Sequence, residues 1–147
     1  IHRNIANLVP TYSPDSENHG TSAAIEYAVK ELSIKHLIIL GHKDCGGIKS
    51  GHSICSNNFN PEYEFINKWL RIILPAFKNI NRDISEKNQI AQLEEESIKN
   101  SIKNLFSFPY IKKAVDNKKL SIHGLIYNIG LGQLKFLNPL TEKFENI

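Results

Sequence analysis

The apolar run at residues 37–40 (LIIL) leads directly into the sequence GHKDCGG at residues 41–47. A run of this kind, without polar alternation, is typical of a strand in a parallel sheet that is covered on both faces. In open α/β sheets, functional groups gather in the loops beyond the carboxyl ends of the strands. His42 and Cys45 therefore occupy the place where an α/β protein would hold a functional site.

The spacing His-x-x-Cys brings together two side chains that zinc prefers. Imidazole and thiolate are common zinc ligands, but a structural site uses four protein ligands and a catalytic site typically three. Gly46 and Gly47 suit a close backbone approach and leave free N–H groups at the start of a following helix, which favours the thiolate form of Cys45. From these residues alone, a metal site and a capped loop with an inert thiol both remain open.

A second His-x-x-Cys pair, His52 and Cys55, offers another arrangement. Together with His42 and Cys45 it would close a structural zinc site of two histidines and two cysteines. The second pair lies in the polar stretch 50–60, which we interpret as a loop and which no strand precedes. For this reason we treat His52 and Cys55 as loop residues and keep the closed site as an alternative.

Hydrophobic periodicity predicts a series of helices around the strand at residues 36–40. Thr21 or Ser22 is the predicted N-cap of the first helix, which would form a βαβ unit with a strand before it and the strand after it. Further helices are predicted from Asn60 to Phe77, from Ser85 to Phe106 and from Pro109 to Val115. Two strands at 121–127 and 134–137 form a terminal hairpin. The predicted class is α/β, with a mostly parallel β-sheet flanked by helices and a C-terminal hairpin.

Two features of the helical segments invite a functional interpretation. Trp69 lies inside an apolar stripe, so we assign it to the core rather than to a binding platform. The acidic run at residues 94–96 is interpreted as a solvated helix face, because no other titratable group is placed beside it in the sequence.

Composition limits the classes of protein that remain. A chain of 147 residues corresponds to one domain, 1–147, that can bury a core without disulfides. The net charge of +3 comes from scattered lysines, which argues against nucleic-acid binding. Two cysteines indicate a reducing, cytoplasmic compartment, and no run approaches the length of a membrane span. The chain contains no methionine, so we expect it to be the interior of a longer protein.

Three motifs in order resemble the β-class carbonic anhydrases of bacterial type. They are RNIANLVP at residues 3–10, HGTSAAIEYAV at 19–29 and GHKDCGG at 41–47, and the similarity continues through NSIKNL at 100–105 to the final hairpin. The resemblance covers essentially the whole chain. It implies a reversible hydratase that converts CO₂ to bicarbonate and works as a homodimer or larger homo-oligomer.

The resemblance also implies roles for particular residues. In this family two cysteines and one histidine hold zinc, and a fourth position stays open for water. His42 and Cys45 match two of these ligands, and Arg3 matches an arginine that helps to hold bicarbonate at a secondary site in some members. Gly46 and Gly47 are the other candidates for bicarbonate binding.

The chain departs from the family pattern in one respect. The family's first zinc ligand belongs to a Cys-x-Asp-x-Arg motif, and this motif is absent from the sequence. Without this ligand, we expect the 147 residues by themselves to be inactive or nearly so. The motif lies on the first strand of the sheet in this family, so without that strand we expect Ile38 and Ile39 to lack part of their packing. A non-catalytic truncated remnant, a binding module and the closed structural zinc site stay open as alternatives.

Overall fold

Six helices and a four-stranded sheet form the described part of the chain, which comprises residues 1–15, 19–58 and 60–147 of a computed structural model. The helices are α1 (Gly20–Lys30), α2 (Gly46–Cys55), α3 (Ile66–Leu70), α4 (Leu74–Asn79), α5 (Glu86–Leu105) and α6 (Pro109–Asp116). The strands are β1 (His36–His42), β2 (Ser121–Asn128), β3 (Gln133–Leu137) and β4 (Phe144–Asn146). None of the described helices combines the length and the apolar character needed to cross a lipid bilayer.

The sheet has the order β1-β2-β3-β4 and is mixed. β1 runs parallel to β2, whereas β2 with β3 and β3 with β4 are antiparallel. The α/β class and the C-terminal hairpin are confirmed, but only one of the three strand pairs is parallel. The connections explain this outcome, because short turns join β2 to β3 and β3 to β4, whereas a helical crossover joins β1 to β2.

The start of the chain differs from the prediction. Residues 1–15 contain no strand, and Ile5–Asn7 form a 3₁₀ turn instead. Ala6 and Asn7 have φ values of 64° and 48°, a left-handed conformation that cannot continue a strand. The prediction of a strand before the first helix, as part of a βαβ unit, is therefore wrong for the described residues.

Helix α1 begins at Gly20, and His19 rather than Thr21 or Ser22 is its N-cap residue. The Thr21 hydroxyl lies 3.0 Å from Nε2 of His2 and so ties the start of the chain to the helix. The predicted N-cap is therefore two or three residues beyond the actual one. The Thr21 hydroxyl contacts His2 instead of capping its own helix.

Strand β1 is covered on only one face by the described residues. Ile39 is 8% exposed, whereas Ile38 and Leu40 are 53% and 56% exposed. The prediction that both faces of this strand are covered is therefore wrong within the described part of the chain. The expected lack of packing is confirmed for Ile38 and wrong for Ile39, because helix α5 packs against the Ile39 face.

Helix α5 spans the two clusters that form the core. Leu93, near its N-terminal end, packs in a cluster with residues of α2, the 3₁₀ turn Arg71–Ile73 and α4. Ile98 and Leu105 belong to a second cluster between the sheet, α1 and α6. Because both clusters share this helix, α5 supports the loop that follows β1 as well as the sheet itself.

The predicted helices vary in accuracy. α5 and α6 start and end within one residue of the predicted boundaries. The helix predicted from Asn60 begins only at Ile66 and is interrupted by the 3₁₀ turn Arg71–Ile73. Trp69 packs against the first core cluster and donates its indole N–H to the Ile5 carbonyl at 2.8 Å, in agreement with its predicted core role.

Candidate metal-binding site

His42 is the last residue of β1 and lies opposite Tyr127 of β2. The ladder continues one residue further, because the Lys43 N–H donates to the Tyr127 carbonyl at 2.8 Å. The backbone is thus held to β2 as far as Lys43, one residue beyond His42. This is the carboxyl end of a parallel strand pair, the position at which sequence reasoning placed the site.

The His42 imidazole has one nitrogen engaged with the backbone. Its Nδ1 lies 3.0 Å from the Lys43 carbonyl oxygen. A carbonyl oxygen can only accept a hydrogen bond, so Nδ1 carries the proton in this contact and Nε2 keeps its lone pair in the neutral ring. Histidines that bind metals commonly donate their other N–H to a carbonyl or carboxylate in this way. The His42 residue is exposed, and its Nε2 has no hydrogen bond to the described residues.

Cys45 is the N-cap residue of α2 and carries a free thiol that is buried, with the residue 6% exposed. Asp44 connects it to the strand with φ of 57°, a left-handed conformation that short polar side chains tolerate. The left-handed backbone at Asp44 turns the chain sharply between His42 at the end of β1 and Cys45 at the start of α2.

Glu94 of α5 is a residue at this loop that sequence reasoning missed. Its side chain is only 3% exposed, and its Oε1 accepts the Cys45 N–H at 3.3 Å. Its Oε2 lies 3.3 Å from the Lys43 ammonium, which also lies 3.3 Å from Glu95 Oε1. The interpretation of residues 94–96 as a solvated face is therefore wrong for Glu94, because its partners are far away in the sequence and close in the fold.

His52 and Cys55 lie on α2 and not in a loop. His52 is 7% exposed, its Nε2 is 3.0 Å from Gln89 Oε1, and its ring meets the Phe77 ring edge-on. The described residues contain no group of three or more His, Cys, Asp or Glu side chains placed to hold a metal. The closed site of two histidines and two cysteines is accordingly not formed, and His52 has a packing role.

Comparison with known proteins agrees with the motifs at this loop. The family model for carbonic anhydrase matches residues 1–134. Beta carbonic anhydrase 3 of Arabidopsis thaliana is 36% identical over 135 residues, which are 90% of this chain and 52% of that protein. This chain belongs to the β-class carbonic anhydrases. It spans about half the length of that curated relative.

Solved structures of β-carbonic anhydrases share the fold. The β-carbonic anhydrase CcaA superposes with a TM-score of 0.88 at 27% identity, covering 99% of this chain and 65% of that chain. One of two tetrameric β-carbonic anhydrases from Sordaria macrospora gives a TM-score of 0.73 at 30% identity, covering 93% and 66%. The arrangement of helices around the sheet is thus that of the β-carbonic anhydrase fold.

The other predicted site residues have distinct surroundings in this β-carbonic anhydrase chain. A Cβ on Gly47 would lie 2.8 Å from Ile5 Cγ2 and 3.1 Å from the Ala6 backbone nitrogen, so a close approach requires glycine there. A Cβ on Gly46 would meet nothing within 4 Å. Arg3 is exposed and has no hydrogen bond or ion pair to the described residues, which leaves its guanidinium unpaired within them.

The donor set fits zinc in its chemistry but is only part of a site. An imidazole with a free Nε2 and a thiol at a helix start are zinc ligands, and a catalytic zinc site typically has three protein ligands. Among the described residues no third ligand lies with His42 and Cys45.

Proposed function

We propose that this chain is part of a zinc-dependent enzyme that reversibly hydrates CO₂ to bicarbonate. His42 and Cys45 would be two of the zinc ligands. The observation that carries this proposal is the exposed His42 residue at the end of β1, whose Nδ1 is held by the Lys43 carbonyl at 3.0 Å, so that Nε2 keeps its lone pair. Membership of the β-carbonic anhydrases supports the choice of reaction.

The residues of the chain would hold and orient the metal. When bound, zinc supplies Lewis acidity and lowers the pKa of water toward neutrality. His42 would bind through Nε2 and Cys45 through Sγ, both kept in place by the turn at Asp44. The proposal places the third protein ligand outside the described residues, because none of them lies with this pair.

Bicarbonate would be held near the start of α2. The Arg3 guanidinium has no partner among residues 1–15, 19–58 and 60–147, and arginine is suited to planar anions because it donates two parallel N–H groups. Gly46 and Gly47 belong to the first turn of α2, whose N–H groups have no partner within the helix. The close approach of Gly47 to Ile5 and Ala6 brings the segment that carries Arg3 beside this helix end.

A homo-oligomer is the assembly we propose. The two β-carbonic anhydrases of Sordaria macrospora are tetrameric. In the described part of this chain, β1 is an edge strand whose Ile38 and Leu40 are more than half exposed. An apolar face of this kind is better covered than left in water. Localisation in the cytoplasm and the absence of nucleic-acid binding remain predictions.

The test is zinc content and CO₂ hydration of the complete protein that contains this chain. We expect His42→Ala and Cys45→Ser each to lose most of the zinc and to lower the hydration rate, measured by stopped flow, by about 100-fold or more. Cys55→Ser is the matched control, since it removes the other thiol and should leave zinc content and rate unchanged. Equal zinc loss in the control and in Cys45→Ser would contradict the proposal.

A non-catalytic protein is the second candidate, and the small number of donors favours it. The described residues contain no group of three or more side chains placed to hold a metal, and two ligands do not make a catalytic site. A complete protein that folds, lacks zinc and does not hydrate CO₂ would support this candidate. It would equally support a binding module built on the same fold.

A further inference from the structure

We propose that Glu94 is a positioning residue that, as a unit with Lys43, orients Cys45 toward the metal. The inference rests on the proposed function, since it assumes that Cys45 is a zinc ligand. Glu94 does not itself belong to the ligand set. It would act through the backbone of Cys45 and through the charge of Lys43.

The contacts of Glu94 connect three parts of the fold. One carboxylate oxygen accepts the Cys45 N–H at 3.3 Å, and the other lies 3.3 Å from the Lys43 ammonium. The Lys43 backbone is held in turn by the Tyr127 carbonyl of β2 at 2.8 Å. Helix α5, the loop and the sheet are therefore linked through a single buried carboxylate.

Burial gives these contacts their importance. A carboxylate that is 3% exposed has lost most of its hydration, and such a charge is tolerated only when it is paired and hydrogen-bonded. The Cys45 N–H and the Lys43 ammonium meet both requirements. Moving Cys45 away from its position would leave one oxygen of Glu94 without its partner, so the buried carboxylate opposes such a movement.

The pairing with Lys43 also offsets negative charge beside Cys45. An unpaired carboxylate beside Cys45 would repel a thiolate, which is the form that binds zinc. The Lys43 ammonium offsets part of this negative charge, while Glu94 still supplies a hydrogen-bond acceptor to the Cys45 N–H. Glu95 also contacts Lys43, but its side chain is 35% exposed and it has no hydrogen bond to Cys45 among the described contacts.

The experiment measures zinc affinity of the complete protein by competition with a chromophoric chelator. We expect Glu94→Ala to weaken zinc binding by about 10- to 100-fold, the range found for residues that orient metal ligands. Glu94→Gln keeps the volume and an acceptor for the Cys45 N–H, so the expected loss is smaller. Glu95→Ala is the matched control and should change affinity by less than about twofold, because Glu95 is less buried than Glu94 and its pairing with Lys43 is accessible to solvent.

A spectroscopic readout separates positioning from general stability. Replacing zinc by Co²⁺ gives a sulfur-to-cobalt charge-transfer band that reports the Cys45–metal geometry. We expect Glu94→Ala to shift this band and Glu95→Ala to leave it in place. A purely structural role would lower the amount of bound cobalt without shifting the band. Because Glu94→Ala leaves a hole, Glu94→Gln carries the test if the alanine variant does not fold.

Coupling between the two residues is tested with Lys43→Met. This change leaves Glu94 buried without its cation, and we expect it to weaken zinc binding by about tenfold. Combining it with Glu94→Gln should return the affinity to within about threefold of Glu94→Gln alone, because the two residues act as a pair. Normal zinc affinity and an unshifted band in both Glu94 variants would overturn the inference. Wild-type protein without zinc would instead overturn the proposed function, and the inference with it.

Discussion

Gly46 and Gly47 follow Cys45 directly, yet they differ in what surrounds them. An added methyl group at Gly47 would overlap Ile5 and approach the Ala6 backbone nitrogen at 3.1 Å, whereas at Gly46 it would point into open space. The backbone nitrogen cannot move aside as the end of a side chain could. The second glycine is therefore required by packing, and the first is not.

Substituting these glycines one at a time tests this difference. We expect Gly47→Ala to lower the free energy of unfolding by about 1–3 kcal/mol, the usual cost of overpacking a close contact. Gly46→Ala should change it by less than about 0.5 kcal/mol. Urea denaturation followed by circular dichroism measures both values. Equal destabilisation by the two variants would contradict the packing argument.

Cys55 is the other free thiol of the chain, and its surroundings disfavour the thiolate. Burial raises the pKa of the Cys55 thiol above its ordinary value of 9.0, and the charges of Arg82 and Arg71 offset only part of this effect. Because the thiolate is the reactive form, less of it is present at any pH below the raised pKa than in a free cysteine. We expect the pH–rate profile of Cys55 alkylation by iodoacetamide, followed by mass spectrometry, to have its midpoint above 9.0. A midpoint below that value would show that the thiol is activated instead.

Single residues at the site could be predicted from the sequence only where the signal is local. His42 and Cys45 were identified because they follow an apolar run and share a loop. Glu94 could not be identified, since its hydrogen bond to Cys45 joins residues 49 positions apart. Without the fold, an acidic run on a helix has the same pattern as a solvated surface.

Among the elements, the long helices were predicted well, whereas for α2 the start at Gly46 was predicted and its second half was interpreted as a loop. α5 has a sustained apolar stripe, so its period is clear from the sequence alone. α2 contains three glycines among its 10 residues, which lowers its intrinsic helix propensity. It forms because Ile48 and His52 are buried against the rest of the core, and such tertiary contacts override local preference.

The hairpin of β3 and β4 contains a carboxylate that makes it sensitive to acid. Hydrogen bonds from Asn138 and Thr141 lower the pKa of Glu145 below its ordinary value of 4.5, with a smaller contribution from Lys143. A depressed pKa in the folded state means that this contribution to stability is present above the unfolded-state pKa. It is lost as the pH falls through the folded-state value.

A carboxyl NMR titration tests this behaviour. We expect Glu145 to titrate below 4.5 in the wild type and the turn between β3 and β4 to loosen as it protonates. Asn138→Ala should move the midpoint back toward the ordinary value, because it removes the largest cause of the shift. Titration of Glu145 at or above 4.5 in the wild type would contradict the hydrogen-bonding explanation.

At the scale of the whole molecule, the fold is shown more completely than the site. The family and the α/β architecture follow from motifs and periodicity that are spread along the chain, and both are confirmed. The number of antiparallel strand pairs and the burial of Ile39 under α5 could not be predicted, because they depend on which segments meet in space. His42 and Cys45 account for only part of a catalytic zinc site, which typically has three protein ligands.

Zinc content per chain, measured together with CO₂ hydration on the purified 147-residue protein and on the complete protein, tests this account most directly. The account predicts roughly one zinc ion per chain and rapid hydration in the complete protein, but little zinc and no hydration from the 147 residues alone. Nearly stoichiometric zinc with hydration by the 147 residues would contradict it, because a third ligand would then have to come from within this chain.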